Sequence, residues 1–114
     1  MVRKIVGSMC ILLMLSAGPA YAELSANEAI AKYKAKDRTV RFYINAVENG
    51  LSWANTVLNE SGMKPLYCIH EVVVLTDDQL FAIVQNYVSR IPANGELPLG
   101  GVLLYSLIDA FPCK

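Results

Sequence analysis

Between Val40 and Leu58 the apolar residues Val40, Ile44, Val47, Leu51, Ala54 and Leu58 recur at alternating intervals of four and three. That spacing keeps one face of a helix apolar over more than five turns. The segment from Asp37 to Asn59 is therefore predicted to be one long amphipathic helix that needs other helices to cover its stripe. Asn45, Glu48, Asn49, Ser52 and Asn55 fill another face, polar but almost uncharged. Gly50 interrupts the run at a cost of about 1 kcal/mol relative to alanine, which predicts a packing contact there. Trp53, the single tryptophan, is expected in the core.

The chain has 114 residues, enough for one domain. Its ten basic and ten acidic side chains balance, which argues against a nucleic-acid binder with a clustered basic surplus. A hydrophobic fraction of 54% argues equally against a disordered chain. The N-terminus must be set apart first. Arg3 and Lys4 precede the apolar run Ile5 to Leu15, then come the helix breakers Gly18 and Pro19 and the small-x-small pattern Ala20-Tyr21-Ala22. This is the order of a secretory signal peptide, and the apolar run is about half the length of a membrane span. Residues 1–22 are read as a cleaved leader. Residues 23–114 are read as the exported domain, and the loss of Arg3 and Lys4 leaves it slightly acidic.

Cys68 and Cys113 are the cysteines that remain. An even pair in a small exported domain predicts a disulfide. The competing reading makes Cys68 a nucleophile with His70, the single histidine, as its base. No third orienting group stands nearby, and Cys113 would be left unpartnered.

Helix signals bound three further elements. Ser25-x-x-Glu28 has the form of a capping box, so a first helix starts near Ala26 and carries Ile30 and Tyr33 inward. The basic residues Lys32, Lys34, Lys36, Arg38 and Arg41 are read as a solvated face. Glu60-Ser61-Gly62 and Pro65 end the long helix, and Leu66 to Leu75 follows as an extended connector anchored through Cys68. Thr76-x-x-Gln79 is a second capping box with Asp77 and Asp78 in the first turn, where the helix dipole favours acids. Leu80, Ile83, Val84, Tyr87, Val88 and Ile91 form the inward stripe of that helix, which must stop at Pro92. Pro92 to Leu97 is a turn-rich loop with Asn94-Gly95 at its tip. Pro98 suits the start of a last helix, Leu99 to Phe111. That helix is apolar nearly all round, as a central or chain-pairing helix would be, and Gly100-Gly101 in it allow close packing. The expectation is an all-α, compact four-helix domain with an extended connector and one disulfide, after a cleaved signal peptide.

Catalytic and metal chemistry find little purchase in these residues. One histidine and no free thiol pair leave no zinc site of usual spacing. No glycine loop cradles phosphate, and the serines have no neighbouring base. The chain is expected to act by binding, without cofactor or metal and not as an enzyme.

Certain segments resemble the Rap/Tai family of type VI secretion amidase immunity proteins. They are Phe42-Tyr43-Ile44-Asn45-Ala46, Leu66-Tyr67-Cys68, Thr76-x-x-Gln79-Leu80, Tyr87-Val88, Leu97-Pro98-Leu99 and the terminal Ala110-Phe111-Pro112-Cys113. The likeness spans about three-quarters of the domain, and the terminal Ala-Phe-Pro-Cys with the upstream cysteine is its most specific part. Cys68-Ile69-His70 departs from the Cys-Pro or Cys-x-Pro common in that family. The resemblance implies a periplasmic protein, a homodimer, and a partner that is a papain-like peptidoglycan amidase whose active-site cleft it occludes. It places the inhibitory loop at Pro92 to Leu97, with Asn94, Gly95 and Glu96 as partner-binding residues. The alternatives are a small periplasmic stress protein or chaperone of disulfide-stapled helical type, and a structural dimer whose partner is itself.

Overall fold

Four local sequence signals set where the helices begin and end. The computed structural model describes residues 23–70 and 74–114; the leader and its cleavage after Ala22 lie outside the described residues. Helix α1 spans Ala26–Lys34, α2 Arg38–Glu60, α3 Asp77–Arg90 and α4 Leu99–Ala110. Leu66–His70 and Val74–Leu75 lie in no helix or strand, as the extended connector requires. The architecture is all-α, with one isolated bridge among the described residues, between Ser25 and Pro98.

At the start of α1 the Ser25 hydroxyl accepts from the Glu28 amide at 3.1 Å. At α3 both halves of the capping box form: Thr76 Oγ1 accepts from the Gln79 amide at 3.2 Å, and the Gln79 side chain accepts from the Thr76 amide at 2.9 Å. Helix α2 ends in a Schellman motif, with the Gly62 amide on the Asn59 carbonyl, the Met63 amide on that of Leu58, and Gly62 at φ 75°. The same pattern closes α1 with a lysine in the glycine position. Lys36 sits at φ 62°, its amide bonded to the Tyr33 carbonyl and that of Asp37 to Lys32. Asp37 then caps α2 by accepting from the Thr39 amide at 2.8 Å. One tight corner thus ends one helix and starts the next.

The core gathers Ala26 and Ala29 of α1, Val40 and Ile44 of α2, Leu80, Phe81 and Val84 of α3, and Leu99, Val102, Leu103 and Leu107 of α4. Tyr67 of the connector completes it. Helix α3 packs against each of the other three helices of the described residues, so its buried arc is wider than one stripe. Phe81 is fully buried for that reason and stacks on Tyr33 of α1 with ring centroids 4.2 Å apart. In α4 the buried Ser106 donates to the Val102 carbonyl at 2.6 Å, which satisfies its hydroxyl within the helix.

Three expectations need correction. Trp53 is 66% exposed, because it lies two residues beyond Leu51 and so about 200° round the helix from the core stripe. Gly50 has no atom within 4 Å of where a Cβ would stand, so no packing contact explains it. Ile91 is exposed rather than inward, since Pro92 turns the chain away from the α3 axis there. Of the two glycines in α4, Gly100 faces Val47 of α2, 3.7 Å from a notional Cβ, and Gly101 faces open space.

Cys68 and Cys113 form a disulfide with Cα atoms 4.9 Å apart across 45 residues of sequence. The Cys68 amide also donates to the Phe111 carbonyl at 2.8 Å, so the connector is tied to the end of α4 twice. Asn55 clamps the connector to α2, accepting from the Leu66 amide and donating to the Tyr67 carbonyl at 2.8 Å.

Candidate functional site

Pro92–Glu96, read from sequence as a turn-rich loop, forms a short 3-10 helix between α3 and α4. Pro92 presets φ at the first position of that turn. The Asn94 amide reaches the Ile91 carbonyl at 3.0 Å and the Leu97 amide reaches the Asn94 carbonyl at 3.1 Å. The turn is held from three directions. Asn94 Nδ2 donates to the Tyr87 hydroxyl at 3.2 Å, on the α3 side. Asn27 Nδ2, on α1, donates to Glu96 Oε1 at 3.1 Å. The segment before α1 pairs with the chain beyond the turn: the Ala26 amide donates to the Leu97 carbonyl at 3.0 Å and the Leu99 amide to the Leu24 carbonyl at 2.8 Å.

The three residues singled out from sequence therefore differ in their surroundings. Glu96 is exposed, with one of its carboxylate oxygens occupied by Asn27. Asn94 is half-buried, its amide turned inward to Tyr87. Gly95 is buried beneath Asn27, and a Cβ built on it would lie 2.3 Å from Asn27 Oδ1. Only a glycine lets the turn approach α1 this closely. Ile91, Pro92, Ala93 and Leu97 of the same turn and its ends are also exposed, Ile91 42% and Leu97 44%. The site is an exposed carboxylate on a braced turn whose other exposed residues are apolar. Sequence reading missed Asn27, Ile91 and Leu97. Asn27 sits inside the Ser25 capping signal, and nothing local there points to a residue in the last third of the chain.

At the foot of the turn, Arg90 pairs with Asp109 of α4, bonds Asn86 at 2.9 Å and lies 5.9 Å from the centre of the Tyr87 ring. The Asp109 carboxylate holds the Arg90 guanidinium even further above its ordinary value. These contacts lock the end of α3 to α4 just below the turn.

The second polar cluster is structural. Arg41 bridges Asp77 at 2.8 Å and Asp78 at 3.1 Å, and the Tyr33 hydroxyl donates to Asp78 at 2.5 Å. The Arg41 guanidinium also lies 4.9 Å from the centre of the Tyr33 ring. The hydrogen bond from Arg41 holds the Asp77 carboxyl below its usual range, and the bond to Asp78 pushes the Tyr33 phenol up. Both acids, placed at a helix start by the sequence, also join α1, α2 and α3. The Arg41 bond that lowers Asp77 holds that carboxyl in its ionised form, as suits a joint between helices. Cys68 has no thiol to offer His70, because its sulfur is in the disulfide. Among the described residues no group of three histidine, cysteine or carboxylate side chains is arranged to hold a metal ion. No helix of the described residues is long and apolar enough to cross a membrane.

Compared with known proteins, the chain matches no family model, no curated protein and no solved structure.

Proposed function

We propose that the chain is a periplasmic immunity-type protein that binds a peptidoglycan amidase and occludes its active-site cleft with the Pro92–Glu96 turn. The observation that carries this reading is the bracing of the turn by Asn27, Tyr87 and the Leu24–Leu99 pairing while Glu96, Ile91 and Leu97 face solvent. A turn already fixed in one conformation loses little entropy on docking, which favours tight binding by a small contact. Its chemistry suits a cleft of the papain-like kind. The Glu96 carboxylate can meet a histidine or other cationic group, and the exposed apolar residues of the turn can seal the mouth against water. The resemblance to the Rap/Tai proteins supports the same surface, and the leader-like N-terminus supports export to the compartment where such an amidase acts.

The test is capture of partners by the exported protein from a native periplasm, followed by peptidoglycan digestion with the enzyme recovered. The reading expects a cysteine amidase whose digestion stops at near-equimolar protein. An enzyme that digests unimpeded at molar excess would overturn it.

A further inference from the structure

We infer that the corner joining α1 to α2 is a docking surface for an anionic phospholipid membrane. The inference rests on the corner alone and does not depend on the inhibitory reading. Lys32, Lys34, Lys36 and Arg38 fall within seven residues there. All four are exposed, and none forms an ion pair among the described residues. Asp37, the one acid inside the run, is turned to the Thr39 amide at 2.8 Å. Asp77 and Asp78, at the start of α3, are occupied by Arg41. The corner therefore presents a surplus of positive charge.

Two features set this run apart from a merely solvated one. Lys36 holds the left-handed conformation at φ 62°, which strains a side chain and would suit glycine better. Glycine does fill the equivalent position at the end of α2, where Gly62 has φ 75°. What lysine adds at position 36 is a cation in the turn itself, and strain kept at one residue marks a place where its side chain is used. The second feature is apolar surface in the same patch. Phe42, one helical turn beyond Arg38 on the same face, is 76% exposed, and Tyr43 is 39% exposed. Tyr43 also lines a cleft of about 230 Å³ with Leu24, Lys32, Asp37, Thr39 and Val40.

Cations beside exposed aromatics select a surface that is anionic at its face and apolar beneath. Lysine and arginine head groups reach lipid phosphates while aromatic rings settle at the level of the headgroups. A soluble polyanion would use the cations and leave Phe42 and Tyr43 in water. Each cation near an anionic leaflet strengthens attachment about fivefold, so four give on the order of several hundredfold over a neutral one. The slight acidity of the rest of the domain does not cancel this, because charges more than about 8 Å away are largely screened at physiological salt. The corner lies at the other end of α1 from the Pro92–Glu96 turn: Asn27 reaches Glu96 from the first turn of that helix, and Lys32 and Lys34 stand in its last. A molecule seated on lipid by the corner leaves the Pro92–Glu96 turn clear.

Co-sedimentation of the exported, oxidised protein with vesicles tests this, comparing phosphatidylcholine alone with equal parts phosphatidylcholine and phosphatidylglycerol. Binding to the mixed vesicles only, weakened by added salt, is expected. Arg38→Glu should weaken it at least about tenfold with helicity unchanged. Lys64→Glu makes the same change of net charge beyond the far end of α2 and should bind as the parent does. Phe42→Ala should weaken binding roughly threefold or more. Lys36→Gly should weaken it about fivefold while the protein becomes more stable, which separates a lost cation from a lost fold. Equal binding to both kinds of vesicle overturns the proposal, as does binding to neither or binding that every corner variant retains. Release of the bound protein by millimolar phosphate would reveal a site for the free anion and overturn the membrane reading. Tighter attachment to polyglutamate than to the mixed vesicles would contradict it as well.

Discussion

Asn27 stands in the first turn of α1 and Glu96 at the end of the 3-10 turn, 69 residues later, yet their side chains share a hydrogen bond of 3.1 Å. Gly95 lies directly beneath that bond. The start of the folded domain therefore sets the position of the candidate site. Adding a Cβ at Gly95 should push Asn27 aside and break its bond to Glu96. Gly95→Ala is expected to destabilise by about 1–2 kcal/mol in urea unfolding. Asn27→Ala makes room, so the second substitution should cost less in its presence, and a double-mutant cycle measures that coupling.

The disulfide closes a loop of 45 residues. The chain-entropy estimate for such a loop is about 4 kcal/mol. Replacing both cysteines by serine should lower unfolding free energy by about that amount. Because the connector and the end of α4 are also joined by the Cys68–Phe111 backbone bond, amide exchange should rise first at those two segments.

Two backbone positions can be improved. Gly50 sits mid-helix with open space where a Cβ would go, so Gly50→Ala should stabilise by about 1 kcal/mol. Lys36 holds a left-handed conformation at φ 62° that glycine adopts without strain. Lys36→Gly should stabilise by about 0.5–1 kcal/mol. Thermal unfolding of both variants checks the direction, and a loss of stability in Lys36→Gly would contradict the corner geometry.

These positions also mark where sequence reading reached and where it stopped. Val40 and Ile44, the Thr76–Gln79 cap and the Gly62 stop were legible because each depends on residues within a turn or two. Phe81 was not, because its burial comes from Tyr33 on a different helix. Asn55 reads as one more polar residue on an exposed face until the connector folds onto it. Trp53 was misplaced by reasoning from residue type, where its phase on the helix decides. For the turn, Pro92 and Pro98 gave its limits, whereas the burial of Gly95 depended on Asn27, outside any local pattern.

Burial raises the Glu48 carboxyl above its ordinary value, and the Tyr67 phenol beside it is pushed up by burial and then by the Glu48 charge. A carboxyl raised on folding contributes stability that is complete below its unfolded value, about 4.3, and is lost as pH rises through the folded value. Glu48→Gln should therefore match the parent in acid and be more stable near neutral pH. Asp77 works in the opposite sense: its lowered carboxyl contributes above the unfolded range and the contribution disappears as pH falls. Asp77→Asn should lose stability near neutral pH and little in strong acid. Unfolding curves collected across pH separate the two.

Whether the braced turn meets the proposed target is tested by titration calorimetry of the partner recovered from the periplasm against the protein carrying Glu96→Lys and Asn94→Ala. A dissociation constant raised at least about tenfold is expected, with helicity close to the parent and an unfolding midpoint lowered modestly by loss of the Asn27–Glu96 and Asn94–Tyr87 hydrogen bonds. Unchanged affinity in a folded variant would contradict it and place the contact on another face of the molecule.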